Sequence, residues 1–202
     1  MIKIQGKIPR RVMIAVSGGI DSMAALDFLR RCHAVEVFHF NHGTKNSDAA
    51  ENCVREYVSK HDLPFQIRGL MKDHKPKGQS IEDYWRQERY KWMDSLAETH
   101  LPLITCHHLD DCVETWIWSS MHGTGKIIPR RRGNIFRPFR QTRKRDFELW
   151  AHMNNVPYVE DDSNFDTRYT RNYIRHEMMP HALAVNPGIH KTIAKKVKKD
   201  ES

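Results

Sequence analysis

Long apolar runs, paired cysteines and the common phosphate-binding signature are all missing from this sequence. No apolar run approaches the roughly 20 residues that a helix needs to cross a bilayer. The four cysteines form no Cys-x-x-Cys pair, which argues against a disulfide framework, a zinc ribbon or an iron–sulfur cluster. No Gly-x-x-x-x-Gly-Lys-Ser/Thr motif occurs, which excludes the Walker type of phosphate loop. Because the basic segment 1–11 also lacks the apolar core of a signal peptide, we expect a reduced, cytoplasmic location.

Acidic residues are in the minority, since 25 Asp and Glu oppose 33 Lys and Arg and leave a net charge of +8. This excess favours a polyanionic partner such as nucleic acid, although basic charge can also serve only solubility. Nine of the basic residues lie between 126 and 145, where no acidic residue occurs. A run of one sign that long predicts an RNA-binding surface with Arg130, Arg131 and Arg132 as its candidates. The Lys-rich segment 189–202 shows no core pattern and is predicted to be a disordered tail.

Apolar segments that alternate with amphipathic ones predict a sheet with helices packed against it. The run 12–16 predicts a buried strand, and 23–29 predicts a helix packed back on that strand. Further strands are predicted at 35–40, 63–67 and 101–106, with helices between them. This order predicts an α/β fold with a doubly wound parallel sheet and flanking helices. In such sheets, ligands bind beyond the carboxyl ends of the strands.

A Gly-rich turn, Ser-Gly-Gly-Ile-Asp-Ser at 17–22, directly follows the first predicted strand. Free backbone N–H groups, a positive helix end and missing side chains make such a turn an anion site. The alternative is an ordinary strand–turn–helix corner with polar caps, but the whole hexapeptide after a buried strand favours a nucleotide. Asp21 is the candidate ligand for a Mg²⁺ ion that bridges phosphates. The predicted nucleotide-binding residues are Ser17, Gly18, Gly19, Ile20, Asp21, Ser22, Asn41 and His42.

A second polar cluster follows the strand predicted at 101–106. His107, Asp111 and Glu114 share one face of a predicted helix and its first turn. Such a cluster can bind an ammonium group, orient a nucleophile or hold Mg²⁺. Acids in a first turn also favour the helix dipole, and this capping role accounts for Asp110.

Arginines form a third set of candidates. Arg86 and Arg89 lie three apart on a predicted helix, so both can face the same site, while pairing with a nearby acid is the alternative. A further helix is predicted at 168–179, closed by Pro180. A row of arginines along one face of this helix can clamp phosphate or RNA, and a solvated helix face is the alternative. The row consists of Arg168, Arg171 and Arg175.

Taken together, these motifs resemble the tRNA(Ile)-lysidine synthetases, a family of PP-loop ATP pyrophosphatases, over nearly the whole chain. The hexapeptide alone is shared by several families, whereas the ordered series is specific to this one. The matching elements are the hexapeptide, Asn41-His42-Gly43, Ser80-x-Glu82 with residues 86–90, residues 107–111 with Glu114-Thr115, Arg137-Pro138, residues 159–164, Arg171-Asn172 with Ile174-Arg175-His176, and Asn186-Pro187.

The resemblance implies a PP-loop ATP-binding catalytic domain over residues 1–188, with a basic helical part from about residue 140. In the family's reaction, ATP adenylates O2 of the wobble cytidine in an isoleucine tRNA with a CAU anticodon, and pyrophosphate leaves. The amine of free L-lysine then attacks C2 and expels AMP, which yields lysidine. By the same resemblance, Asp21 holds Mg²⁺, and Asp111 and Glu114 handle the lysine. The implied catalytic residues are Asp21, Arg86, Arg89, His107, Asp111, Glu114 and Arg171.

Two features depart from the family pattern. Residues 125–130 stand where the family has a second glycine–leucine element, and the chain is expected to be a short form without the C-terminal domains that grip tRNA. Two other interpretations stay open: a PP-loop enzyme with a different nucleophile or RNA, and a non-catalytic RNA-binding remnant. The sequence also leaves the oligomeric state open, a homodimer included, and gives no sign of a membrane partner.

Overall fold

The computed structural model describes residues 1–41, 43, 47–69, 78, 81–96, 101–160 and 165–200. The strands are β1 (Arg11–Ala15), β2 (Ala34–Asn41), β3 (Phe65–Gly69), β4 (Leu103–Ile104), β5 (Arg131–Arg132) and β6 (Ile135–Phe136). They form one sheet in the order β3-β2-β1-β4-β6-β5. All neighbouring strands run parallel except β5, which pairs antiparallel with β6.

Helices connect the strands and continue after them. They are α1 (Ile20–Arg30), α2 (Ser47–Lys60), α3 (Ile81–Ser95), α4 (Leu109–Met121), α5 (Lys144–Met153), α6 (Thr170–Tyr173), a π-helix (Ile174–Met178), α7 (Met179–Val185) and α8 (Ile189–Lys199). Across the ranges given above, no helix combines the length and the apolar character that a membrane span requires.

The alternation of side chains along β1 explains why helices pack on both faces of the sheet. Val12 and Ile14 belong to a core shared with α1, α2 and α5. Met13 points the other way and packs with Phe38 and with Trp92 of α3. The predicted α/β fold with a doubly wound parallel sheet is therefore confirmed.

The order of the strands determines where a ligand can bind. β1 has β2 on one side and β4 on the other, so the chain reverses its winding direction between β1 and β4. A crevice opens at such a point beyond the carboxyl ends of the two strands. The turn after β1 and the residues that begin α4 after β4 line one cavity there.

The prediction of a disordered tail is wrong for residues 189–199, which form α8. Ile189, Ile193 and Val197 recur every four residues, so they share one helix face, and this face is buried against α4. The lysines occupy the other sides of the helix. Because lysines are so abundant in this segment, its short apolar stripe was not recognised from the sequence and is evident only from its packing against α4.

The predicted helix 168–179 also differs in the structure. α6 begins at Thr170, and the chain continues through the π-helix and α7 as far as Val185. The N–H of Met179 donates to the carbonyl of Ile174, which is a π-type hydrogen bond. Pro180 follows this wider turn at the start of α7, so its missing N–H removes one hydrogen bond of the continuous helical segment. The proline is accommodated without ending the helical segment.

Candidate active site

The turn between β1 and α1 depends on two glycines for different reasons. Gly18 has φ +88°, and a Cβ there would lie 2.9 Å from the Cβ and the carbonyl oxygen of Ala50 on α2. Gly19 has an ordinary φ of -77°, and a Cβ there would meet only Ser17 Oγ, at 3.6 Å. Packing inside the protein therefore requires Gly18, whereas the space beside Gly19 opens into the cavity.

Hydroxyl groups hold this turn in shape. Ser22 Oγ donates to the Gly19 carbonyl at 2.9 Å, accepts from the Ser17 N–H at 3.1 Å, and lies 3.0 Å from Ser17 Oγ. On the outer side, the N–H of Val159 donates to the carbonyl of Gly18 at 2.9 Å. The backbone amides of the turn are thus oriented by contacts within the protein itself.

α1 and α4 both begin at the cavity, but their N-termini are capped differently. At α4, His108 Nδ1 accepts from the Asp111 N–H at 3.2 Å, and Asp111 Oδ2 accepts from the His108 N–H at 2.9 Å, which is a capping box. At α1, the N-cap is Gly19 and no side chain caps the helix. The first-turn N–H groups of α1 therefore lack this partner, and an anion in the cavity would supply one.

Asp21 and His108 face each other between these helix ends. Asp21 Oδ2 lies 3.6 Å from His108 Nε2, while the carboxylates of Asp110 and Asp111 lie 3.8 and 3.6 Å from Nδ1. Burial alone would lower the pKa of His108, but Asp111 and Asp21 raise it to about 9. Protonation of both nitrogens therefore ends the cap hydrogen bond that Nδ1 accepts and turns its N–H towards the carboxylates of Asp110 and Asp111, and three carboxylates around a buried imidazole outweigh one hydrogen bond of 3.2 Å.

The other oxygen of Asp21 fits a cation. Oδ1 is buried and has no hydrogen-bond partner among the described residues. Among all the described residues, no group of three His, Cys, Asp or Glu side chains is arranged to hold a metal. Mg²⁺ at nucleotide sites typically takes one or two carboxylates and completes its shell with phosphate oxygens and water. The single free oxygen of Asp21 suits that mode of binding.

Two arginines neutralise the acids predicted to handle lysine. Arg171 donates to Asp111 Oδ1 at 2.7 Å and to Glu114 Oε2 at 3.0 Å, and Arg175 donates to Glu114 Oε1 at 2.7 Å. Burial favours the protonated form of Asp111, but His108 and Arg171 hold the pKa of this carboxyl well below its usual range. Asp111 lines the cavity, whereas Glu114 is 4% exposed and lies beneath the two guanidinium groups. An ammonium ligand can reach Glu114 only if an arginine moves.

His107 lines the same cavity as a neutral ring. Its Nδ1 lies 2.9 Å from Thr105 Oγ1. Burial lowers the pKa of His107 to about 3, although Asp111 acts in the opposite direction. The ring can therefore accept or donate one hydrogen bond at each nitrogen, but it carries no charge at neutral pH.

The cavity has a volume of about 650 Å³ and brings together most of the predicted nucleotide and acid residues. A volume of this size lies within the usual range for small-molecule and cofactor sites. Its walls combine the turn after β1, the start of α4, and residues from α3, α5 and α6. The sequence-predicted residues that line it are Ser17, Gly19, Ile20, Asp21, Ser22, Arg89, His107, Asp111, Arg171 and Arg175.

The structure separates the two predicted arginines of α3. Arg89 lines the cavity, and burial lowers the pKa of its guanidinium. Arg86 is exposed, and its guanidinium carbon lies 5.2 Å from the ring centroid of Tyr90. Of this pair, Arg89 is therefore the one positioned to meet a ligand in the cavity.

Asn41 is not among the residues that line the cavity. Its amide donates to Glu51 Oε2 at 2.8 Å, and its Oδ1 accepts from the Gly43 N–H at 2.7 Å, so it links the end of β2 to α2 and to Gly43. Because Asn41 does not line the cavity, its binding of the nucleotide stays a prediction. His42, Ser80 and residues 161–164, which carry part of the resemblance, lie outside the described residues.

Part of the basic run 126–145 is internal. Arg140 is fully buried and donates to the carbonyl of Ile128 at 2.8 Å and to Asp200 at 2.6 Å. Arg137 is also buried and donates to the carbonyl of Pro129 at 2.9 Å. Arg137 and Arg140 therefore do not belong to an exposed RNA surface, because these two cations hold the chain around β6; the RNA role of Arg130, Arg131 and Arg132 stays a prediction.

The three consecutive arginines of this run also differ from one another. Arg130 is half-buried, with its guanidinium carbon 5.2 Å from the ring centroid of Phe136. Arg131 and Arg132 form β5 at the edge of the sheet and are exposed. Only the latter two present their charge freely to a partner.

Arg168 does not belong to the row that was predicted along one helix. It precedes α6 and forms a two-pronged ion pair with Asp166, at 2.9 and 2.7 Å, on the exposed surface. Arg171 and Arg175 do share a face, which contacts Asp111 and Glu114, and the side chain of Arg171 is 47% exposed there. The local pair with Asp166 is the reason that Arg168 points elsewhere.

Several cavity residues were not singled out from the sequence. Lys144, Glu148 and His152 recur every four residues on α5 and line one wall. Their helical spacing was available, but a polar stripe looks the same whether it faces solvent or a cavity. His108, which lies beside the cavity residues, was part of the matching segment 107–111 but received no role, although a histidine three residues before an aspartate is a recognisable capping arrangement.

Comparison with known proteins gives relatives and structural neighbours. A tRNA(Ile)-lysidine synthase from Thermosipho africanus is 32% identical over 200 residues, covering 88% of this chain and 45% of that protein. Its counterpart from Thermotoga maritima is 31% identical over 199 residues, covering 90% and 47%. The chain thus spans a little under half the length of these curated relatives. Among solved structures, a U34-tRNA thiolase from Methanococcus maripaludis aligns with a TM-score of 0.75 at 12% identity, over 96% of this chain and 73% of that one.

A match to a protein-family model assigns the chain to a family, which these pairwise similarities alone do not do. The model of the PP-loop domain matches residues 2–182, a range that contains the turn after β1 and every wall of the cavity. Because this match extends over most of its length, the chain belongs to the PP-loop domain family.

Proposed function

We propose that this chain carries the catalytic domain of a tRNA(Ile)-lysidine synthetase, a ligase that forms a carbon–nitrogen bond. It adenylates the wobble cytidine of an isoleucine tRNA with ATP, and free L-lysine then displaces AMP to give lysidine. The observation that carries the proposal is the meeting, in one cavity, of the uncapped N-terminus of α1 and the acid Asp111. Relatives of this name match most of the chain.

The turn after β1 supplies the site for the triphosphate of ATP. The amides at the start of α1 and the open space beside Gly19 allow a phosphate to approach the backbone closely. Ser17 and Ser22 fix the turn before ATP binds, so little ordering is left to the binding step. Binding of this kind leaves the α-phosphate open to attack by O2 of cytidine, with pyrophosphate as the leaving group.

Asp21 would hold the Mg²⁺ ion through its free Oδ1. When bound there, the ion supplies neutralisation of the negative charge that builds up on the departing pyrophosphate. The protein's own contribution is the position of Asp21, which its contact with His108 fixes at the mouth of the turn.

The lysine step uses the acid cluster at the start of α4. The ammonium group of lysine binds Asp111 from the cavity side and gives a proton to water. Its nitrogen then bonds to C2, while the bond from C2 to the adenylated O2 breaks and AMP leaves with that oxygen. Asp111 gives up its contact with Arg171 when it takes the ammonium group, because both use Oδ1. The guanidinium of Arg171, which also lines the cavity, is then free to meet the phosphate of the departing AMP. Arg89 adds a second positive charge in the same cavity.

The RNA reaches this cavity as a single-stranded loop. A wobble base is already unpaired, so it can be inserted without the cost of opening a duplex. The exposed guanidinium groups of Arg131 and Arg132 support an RNA partner for this domain.

Analysis of the RNA product tests the proposal. Purified protein is incubated with an isoleucine tRNA transcript of CAU anticodon, ATP, Mg²⁺ and isotope-labelled lysine, and the digested RNA is examined by mass spectrometry. We expect lysidine at one position, none in a transcript with a different wobble base, and adenylated RNA but little lysidine with Asp111→Asn. Lysine-free modified cytidine would indicate another nucleophile, and unmodified RNA with intact ATP would indicate a non-catalytic RNA-binding domain.

A further inference from the structure

One tyrosine and three arginines stand together at the edge of the cavity. Arg86 and Tyr90 lie one turn apart on α3, and Arg132 comes from β5 at the edge of the sheet. The guanidinium carbon of Arg132 is 4.1 Å from the ring centroid of Tyr90, and that of Arg86 is 5.2 Å from it. Arg137 is close enough to Tyr90 for its positive charge to lower the pKa of the Tyr90 hydroxyl. We call these four residues the Tyr90 stack.

No described carboxylate neutralises the positive charge of this stack. Among the side chains that the structure describes, which leave out those of residues 81–83, no carboxylate forms an ion pair with Arg86 or Arg132, although Arg143, Arg171 and Arg175 each have one. Both Arg86 and Arg132 are exposed. Burial alone would raise the pKa of Tyr90, but Arg86 and Arg137 lower it, as expected where several cations converge. Unneutralised cations held in a fixed arrangement favour an anionic partner.

The geometry indicates which anion fits. A guanidinium that lies on an aromatic ring keeps its N–H edge free for a two-pronged bond to phosphate, and its outer face free to stack on a base. Tyr90 itself lines the cavity, so a chain bound at the stack is continuous with whatever enters the cavity. Alternating phosphates and exposed bases are the chemistry of single-stranded RNA.

We propose that the Tyr90 stack binds the RNA backbone beside the nucleotide that enters the cavity, with Arg86 and Arg132 on phosphates and Tyr90 fixing their positions. The inference rests on the proposed function, because it needs an RNA with an unpaired base. In this proposal Arg86 binds RNA and is not a catalytic residue. Arg86 also takes the place of Arg130 among the predicted RNA-binding residues.

Equilibrium binding of a short RNA hairpin with a CAU loop, without ATP or lysine, tests this inference at several salt concentrations. We expect Arg86→Gln and Arg132→Gln each to weaken binding about tenfold. Each should also reduce the log–log salt slope by roughly 0.7. Arg145→Gln is the matched control, because it removes the same charge from an exposed position on α5 and should leave affinity and slope unchanged. Arg132→Gln should reduce RNA affinity less in the Tyr90→Leu background than in the wild type.

The other outcomes are distinguishable. If the wild type binds the hairpin and both arginine variants keep its slope, the stack is not the RNA site, while the proposed function stands. If a duplex of equal length binds as tightly and loses as much affinity in the variants, the surface is a general polyanion site and the inference is overturned. If the wild type binds ATP but no hairpin, the inference and the RNA part of the proposed function both fail.

Discussion

The two glycines of the turn after β1 allow a paired test, because alanine at each position meets a different obstacle. At Gly18, a Cβ would overlap the backbone of α2 at Ala50, with contacts of 2.9 and 3.0 Å, and φ is +88°. At Gly19, the same Cβ would meet no protein atom closer than 3.6 Å, but it would occupy space at the cavity wall. We therefore expect Gly18→Ala to act on folding and Gly19→Ala to act on ATP.

The sizes of the two effects follow from these contacts. Left-handed backbone costs a residue with a side chain about 1–2 kcal/mol. Overpacking typically adds about 1–3 kcal/mol. We expect Gly18→Ala to lose about 3 kcal/mol of unfolding free energy, which lowers Tm by roughly 6–12 °C in a chain of this length. Gly19→Ala changes only the cap of α1 and should cost about 1 kcal/mol or less. Its affinity for ATP should fall at least about tenfold, because a methyl group blocks close approach of phosphate.

Thermal or urea unfolding measures the first effect, and ATP titration by calorimetry measures the second. Each variant serves as the control for the other, since one carbon atom is added in both. ATP affinity of the wild-type level in Gly19→Ala would refute the assignment of the turn as a phosphate site. Wild-type stability in Gly18→Ala would show that α2 does not press on the turn as described.

Three further expectations concern other parts of the chain. Asp27→Asn should lose about 3 kcal/mol of unfolding free energy in urea, because the buried carboxylate accepts hydrogen bonds from Tyr57, Trp150, Arg30 and Arg31. Burial acts to raise the pKa of Asp27, but these partners lower it below 3.8. The stability that the ionised Asp27 contributes is therefore present above that pH and is lost as the pH falls through the folded-state pKa. Acid unfolding that is identical in wild type and Asp27→Asn would contradict this. Ile193→Ala should cost about 3 kcal/mol and speed hydrogen exchange in α8, whereas unchanged exchange would mean that α8 is not docked on α4. Arg175→Gln should tighten lysine binding severalfold in calorimetry, because the Arg175 guanidinium, 3.6 Å from Asp111 Oδ1, no longer competes for that carboxylate; weaker binding would mean that Arg175 contacts the lysine.

Local sequence patterns were sufficient wherever a short segment determines its own structure. The run 12–16, the glycines and the amphipathic stretch after them predict β1, the turn and α1, because burial, positive φ and helix periodicity are all encoded within 20 residues. The face formed by His107 and Asp111 was likewise readable from helical spacing. These are the parts of the candidate site that sequence analysis predicted.

The rest depended on partners distant in sequence. Arg140 is buried because Asp200 and the carbonyl of Ile128 bind it, and nothing near residue 140 indicates either contact. Arg86 and Arg89 have almost the same helical position, so only the packing of α3 on the sheet decides which one lines the cavity. The apolar stripe of α8 became recognisable only beside α4. In each case, tertiary contacts rather than local propensity determined the outcome.

The most direct test of the proposed activity is the identity of the nucleotide released from ATP. Purified protein, the isoleucine tRNA transcript, lysine and Mg²⁺ are incubated with ATP labelled at the α-phosphate, and the products are separated by chromatography. The proposed activity predicts AMP in equal amount to the lysine joined to RNA, with pyrophosphate as the other product and with no turnover in Asp21→Ala. Release of ADP, or AMP formation that persists in Asp21→Ala, would contradict it.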